Sequence, residues 1–172
     1  MLALTDAHLG DASAALTLST AAAAIAIPVI AVQPLLAGRG RISTHRLIGA
    51  LALVLVLVHI GALFVESADD TLFAMSPDGP TRARMALMGT VALLVVVALG
   101  AGRRRLPLSG TAWRILHAYF ALLVIVLGFG HALLTDGALD GAGTVALLAF
   151  AALGVAAIPA AFAARTRRAR RS

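Results

Sequence analysis

The sequence predicts an all-α integral membrane protein, a five-helix transmembrane bundle with its N-terminus outside and its C-terminus in the cytoplasm. Three observations predict it. Hydrophobic residues make up 60% of the 172-residue chain and charged residues 13%, against about 25% charged in ordinary soluble domains. The apolar residues fall into five runs, each near the roughly 20 residues that cross a hydrocarbon core. The segments between the runs alternate in charge, as loops on opposite sides of a membrane do.

The runs place helices at about 12–36, 43–65, 84–101, 113–134 and 142–164, in one membrane domain (1–172) that ends in a basic tail at 165–172. The first eleven residues carry Asp6 and Asp11 and neither Arg nor Lys. The positive segment of a cleavable signal peptide is therefore missing, and the first run is expected to stay as a helix. Pro28 falls inside that run and should kink it, with Pro34 near its end; Pro159 does the same late in the fifth. Ser43 and Thr44 are the expected N-caps of the second helix, and Ser109 or Thr111 of the fourth. Leu72, Phe73 and Met75, in the second loop, suggest a short segment lying on the outer surface.

The loop charges set the orientation. The first loop carries Arg39 and Arg41, with Arg46 just beyond; the third carries Arg103, Arg104 and Arg105, with Arg114 following. The tail adds Arg165, Arg167, Arg168, Arg170 and Arg171, whereas Glu66, Asp69, Asp70 and Asp78 lie in the second loop and Asp136 and Asp140 in the fourth. With the N-terminus outside, twelve of the fourteen arginines face the cytoplasm and all eight acids face out. Arg82 and Arg84 are the two exceptions. The net charge of +6 is thus a topology signal rather than a nucleic-acid footprint. All basic residues are arginine, which reads as the codon bias of a GC-rich, bacterial genome and places the chain in an inner (plasma) membrane. The absence of cysteine excludes disulfides, thiolate-ligated haem, iron–sulfur clusters and cysteine zinc sites.

Four of the five histidines carry the functional signal. His45 and His59 lie fourteen positions apart in one run, and His117 and His131 fourteen apart in another. Fourteen residues at about 100° each come within about 40° of four full turns, so each pair shares a helix face, and the rise of about 21 Å puts one histidine near each membrane edge. With five spans the second and fourth helices run parallel, so His45 is level with His117 and His59 with His131. Small residues dominate the stripes between them: Gly49, Ala52 and Val56 on one helix, Ala121, Val124 and Gly128 on the other. A flat macrocycle between two helices needs such side chains, and Gly61, Gly130 and Ala132 are expected to widen the space at the outer pair. The pattern implies two stacked bis-histidine haem b sites, with a single haem as the alternative. A lone histidine in a span is more often a helix–helix hydrogen-bonding group or a proton relay. A histidine-using ion or proton transporter, and a membrane scaffold without cofactor, therefore stay open as readings. Transporters usually add carboxylates or amides at mid-membrane; here Gln33, near the end of the first helix, comes nearest. His8 is expected to be a solvated loop residue.

Arg46 and Arg114 lie at the cytoplasmic edge, where the propionates of an inner haem would emerge, and Arg82 and Arg84 could balance those of an outer haem. Snorkelling to lipid headgroups is the alternative reading of all four; the positive-inside rule already accounts for Arg46 and Arg114, whereas Arg82 and Arg84, as exceptions to it, favour propionate or acceptor contact. Trp113 is expected in an aromatic belt, and Tyr119 and Phe120 as packing beside the inner site. The basic clusters are read as lipid contacts or as a dock for an acidic cytoplasmic electron donor.

The segments THRLIGALALVLVLVHIGALF and WRILHAYFALLVIVLGFGHALL resemble the ferric reductase-like transmembrane domain. That domain occurs in ferric-chelate reductases, in NADPH oxidases and in the haem-binding membrane subunit of the bacterial periplasmic methionine sulfoxide reductase system. The resemblance covers roughly residues 40–135. It implies that His45 and His117 hold an inner haem and His59 and His131 an outer one. It also implies electron flow from a cytoplasmic flavoprotein or quinol to an outside acceptor: ferric chelate, oxygen or a periplasmic partner protein. The chain departs from eukaryotic members in having five spans rather than six, and in the spacing of its second pair, which can be one residue closer there. It also carries no G-x-G-x-x-G fingerprint, so flavin is expected only through a partner.

Overall fold

The computed structural model describes residues 12–135 and 141–169, the last of these without side chains at 161, 162 and 164–169. Asp6, His8, Asp11, Asp136, Asp140, Arg170 and Arg171 lie outside the described residues, and so do the side chains of Arg165, Arg167 and Arg168. Six helices make up the described chain: α1 Ala14–Gly38, α2 Ile42–Glu66, α3 Ala68–Met75, α4 Thr81–Ala101, α5 Gly110–Leu133 and α6 Gly141–Ala169. All but α3 contain a stretch long and apolar enough to cross a membrane. Leu47, Val54, Met88, Val91, Ile115, Val126 and Val145 stand exposed around these helices. A soluble protein rarely leaves contiguous apolar surface of more than a few hundred Å² in water, so this surface is matched to lipid.

Local sequence sets the ends. Ser13 caps α1 by accepting the Leu16 N–H at 3.0 Å and ties it to the far end of α2 by donating to the Glu66 carboxylate. The α1–α2 reversal turns on Gly40, at φ 77°, a conformation that L side chains avoid. The chain re-enters a helix at once, with His45 N–H bonded to Arg41 O at 2.8 Å. Arg41 is therefore the N-cap, without a side-chain bond. The expected caps Ser43 and Thr44 lie inside the helix, because the glycine completes the reversal before them. Ser109 does cap α5, accepting from Ala112 N–H at 3.1 Å. Pro28 and Pro34 lie inside a continuous α1, and Pro159 inside α6. Between α3 and α4, Gly79 packs so tightly under the Ala74 carbonyl that no Cβ fits. The short α3 leaves Leu72 and Phe73 exposed, as expected of a segment lying on the surface.

The five long helices pack as a ring in the order α1, α2, α4, α5, α6, closing from α6 back to α1. Small residues set the close contacts: α1 buries Ser19, Ala22, Ala26 and Ala31, and α4 buries Gly89 and Ala92. Such residues let membrane helices approach where lipid gives no hydrophobic drive. One core cluster joins α1, α5 and α6 through Ala31, Ile125, Phe129 and Leu147. The other joins α4 and α5 through Ala92, Leu93, Val96 and Val124, with Leu53 and Val56 of α2 against it. The helices α2 and α5 are not neighbours in the ring, and no extended contact links them.

Gly154 gives a test of the packing. A Cβ there would lie 3.0 Å from Ile125 Cδ1 and 3.5 Å from the Ala31 Cα. Gly154→Val should cost about 1–3 kcal/mol through overpacking, read as a lower thermal midpoint in detergent. Gly61→Ala, which meets nothing within 4 Å, should leave the midpoint unchanged or raised.

Candidate functional site

The gap between α2 and α5 holds both histidine pairs. His45 faces His117 with ring centroids 6.2 Å apart, and His59 faces His131 at 6.4 Å. The two helices therefore run parallel and in register, as the equal spacing requires. A metal–imidazole bond is about 2.0 Å long and the ring centre lies about 1.1 Å behind the nitrogen, so two imidazoles in line on one metal have centroids about 6.3 Å apart. Both pairs have that separation. Each offers two donors; among the described residues no cluster of three or more His, Cys, Asp or Glu forms. A bare zinc site takes about four ligands, whereas two axial nitrogens complete a haem iron.

Backbone carbonyls of neighbouring helices orient three of the rings. His45 Nδ1 meets Gln33 O at 3.1 Å, and His59 Nδ1 meets Ser19 O at 3.1 Å, both on α1. His131 Nδ1 meets Arg82 O at 3.0 Å, at the start of α4. A carbonyl only accepts, so Nδ1 carries the proton and Nε2 keeps its lone pair for a metal. Ser19 is 1% exposed and adds a relay. Its hydroxyl lies 2.8 Å from His59 Nδ1 and donates to His59 O at 3.2 Å. The fourth ring is held by stacking: Trp113 lies over His117 with centroids 4.9 Å apart and planes 22° apart.

Space for a flat group is present at both levels. A cavity of about 1280 Å³ opens at the first pair, beyond the roughly 300–1,000 Å³ of common small-molecule pockets. Its walls include His45, Gly49, Gly100, His117 and Ala121. At the second level a Cβ on Gly128, on the His131 stripe, would meet nothing within 4 Å, whereas Gly61, two residues past His59, opens onto the exposed face of α2. Gly130 and Ala132 do not widen that space as expected. A Cβ on Gly130 would strike the Met85 side chain of α4, and Ala132 packs against the α1–α5–α6 cluster. The reason is rotational: both lie off the stripe that faces α2. Between the levels Val56, Phe120, Ala121 and Val124 pack with Leu93 and Val96, so a dry apolar layer separates the two sites.

The arginines divide. Arg46 and Arg114 line the cavity at the first pair, together with Arg103, Arg104 and Arg105. Arg114 also donates to Thr111 Oγ1 at 3.2 Å. Arg82 reaches the second pair through its carbonyl. Arg84 donates to Pro77 O and Thr81 Oγ1, each at 3.2 Å, bracing the turn before α4. Trp113 donates its indole N–H to Leu99 O at 2.9 Å. Ser19 and Trp113 are the site residues that sequence reasoning missed. Trp113 had a signal, since it lies one turn before His117; Ser19 had only its polarity in an apolar run.

Residues 9–128 match the family described as ferric reductase like transmembrane component. The chain belongs to that family. No curated protein and no solved structure matches it significantly. The match takes in His45, His59 and His117 and ends before His131, which the structure pairs with His59. Five apolar helices and this membership make the chain a multi-pass membrane protein of ferric reductase-like type, and the family points to electron transfer across the membrane.

Ser19 is directly testable. Ser19→Ala removes the hydroxyl relay between α1 and α2 but keeps the Ser19 carbonyl. It should lower stability by about 1 kcal/mol, seen as a small drop in thermal midpoint, and leave the His45–His117 level untouched.

Proposed function

We propose that this protein is a b-type cytochrome that moves electrons across the membrane, with haem b held at each of its two histidine levels. The observation that carries this reading is the pair of equal imidazole separations, 6.2 and 6.4 Å, which suit one iron each. When bound, a bis-histidine haem supplies one-electron chemistry with no open coordination position.

The chain's own residues do the rest. The carbonyls of Gln33, Ser19 and Arg82 fix the ring orientation and raise the donor strength of the facing nitrogen. The apolar layer around Leu93, Val96 and Val124 keeps water from the space between levels. Arg46 and Arg114 supply positive charge at the mouth of the first cavity, where carboxylates would leave the membrane. Arg82 and Arg84 do so at the second level. A guanidinium has five N–H donors, so the two bonds of Arg84 to the turn leave donors for a propionate.

The charge distribution supports the orientation. The His45–His117 end carries Arg39, Arg41, Arg46, Arg103, Arg104, Arg105 and Arg114; the other carries Glu66, Asp69, Asp70 and Asp78. The positive-inside rule puts the first end in the cytoplasm of a bacterial inner membrane, with the N-terminus outside and the C-terminus inside. A flavoprotein or quinol would donate there. Ferric chelate, oxygen or a periplasmic protein would accept outside. Substrates would be reduced at the outer face without entering the iron's coordination sphere.

Purified protein should show sharp reduced b-type bands and close to two haems per chain by pyridine haemochrome. His45→Ala or His117→Ala should remove one haem and His59→Ala or His131→Ala the other. Combining two substitutions at one level should cost no more haem than either alone, whereas combining across levels should remove both. Loss of both haems from a single substitution would contradict two independent sites, and protein that stays colourless when haem is supplied would contradict the function.

A further inference from the structure

We infer that Trp113 is a positioning residue for the cytoplasmic-side haem ligand His117, and that Arg103 acts on that ligand through the indole. This inference rests on the two-haem reading above and deepens it. Trp113 lies four residues before His117 on α5, so both side chains share one helix face. The indole is nearly parallel to the imidazole, at 22° and 4.9 Å. It is not free to rotate away, because its N–H is bonded to Leu99 O on α4 at 2.9 Å. The contact thus links the ligand helix to α4, as the Arg82 carbonyl links His131 to α4 at the other level. Gly100, next along α4, would place a Cβ 3.8 Å from His117 Cε1. The ring is enclosed by the indole on one side and the α4 backbone nearby.

The second part of the assembly is a charge. The Arg103 guanidinium carbon lies 5.3 Å from the Trp113 ring centre, within the about 6 Å range of cation–π attraction. The guanidinium is anchored by a 3.5 Å bond to Leu108 O, and Arg103 is half-buried while Arg104 and Arg105 are exposed. Arginine, indole and imidazole therefore form one stack from the α4–α5 loop to the metal-binding ring. Stacked rings restrict rotation about the imidazole's own axis. A fixed cation beside the stack favours the reduced, more negative state of whatever metal the ring holds. The ring stacking has no counterpart in the described contacts of His59 and His131, so the two levels should differ in ligand orientation.

Trp113 is the chain's only tryptophan, so its emission reports the surroundings of this indole alone. In protein prepared without haem, His117→Leu should change the intensity of Trp113 emission, and His131→Leu should leave it as it was. In the haem-loaded protein, Trp113→Leu should shift and broaden the low-spin electron paramagnetic resonance signal of one haem and leave the other unmoved. Trp113→Phe, which keeps a ring in the stack, should restore most of the original signal. Arg103→Met should lower the midpoint potential of that same haem while leaving the signal position unchanged. The unmoved outer haem serves as the folding control in each variant. If Trp113→Leu leaves both signals and both potentials as in the parent, the inference is overturned and the two-haem reading survives. If the parent protein binds no haem, both fall. A change in emission with His117→Leu would then record only a packing contact.

Discussion

The bundle depends on a gap of nearly constant width between two helices that make no extended contact. Close packing would normally bring two apolar helices to within about 8–10 Å of each other. Here α4 on one side, and α1 with α6 on the other, hold α2 and α5 apart. The histidines then face each other across the gap at nearly the same distance on both levels. A single iron can satisfy both rings of a pair only within a narrow range of separation. The ring of five helices is the device that sets it.

The helices that frame the gap also aim its histidines. Although α1 carries no histidine, its carbonyls at Ser19 and Gln33 orient both rings of α2. For α5 that work falls to α4, through the Arg82 carbonyl and through the Leu99 carbonyl that fixes Trp113. Scaffold and histidine-bearing helices are therefore coupled: a shift of α1 against α2 turns imidazoles as well as loosening packing. Small residues along α1 and α4 serve that coupling, because they let the backbones come close enough for carbonyls to reach rings on the next helix.

The architecture was largely legible in the sequence because its determinants are periodic. Five apolar runs and alternating loop charge announced the spans. The fourteen-residue interval, with an odd number of spans, announced which histidines would meet. The parts that were not legible depend on which helices become neighbours. Ser19 lies forty residues from His59 in sequence, and nothing in an apolar run says which helix its hydroxyl will meet. Gly130 looked like space for a cofactor and instead receives Met85, since a glycine's role depends on a rotation that spacing alone does not fix. Ser43 and Thr44 have the chemistry of N-caps, but the turn at Gly40 started the helix before them.

The most direct test of the account is electron transfer across a sealed membrane. Haem-loaded protein would be placed in lipid vesicles with ferricyanide trapped inside, and an impermeant reductant added outside. The account predicts reduction of the trapped ferricyanide well above empty vesicles. Removing either histidine level should abolish it, even though the remaining level keeps its haem. Protein that carries haem at both levels yet reduces the trapped acceptor no faster than empty vesicles would contradict the account.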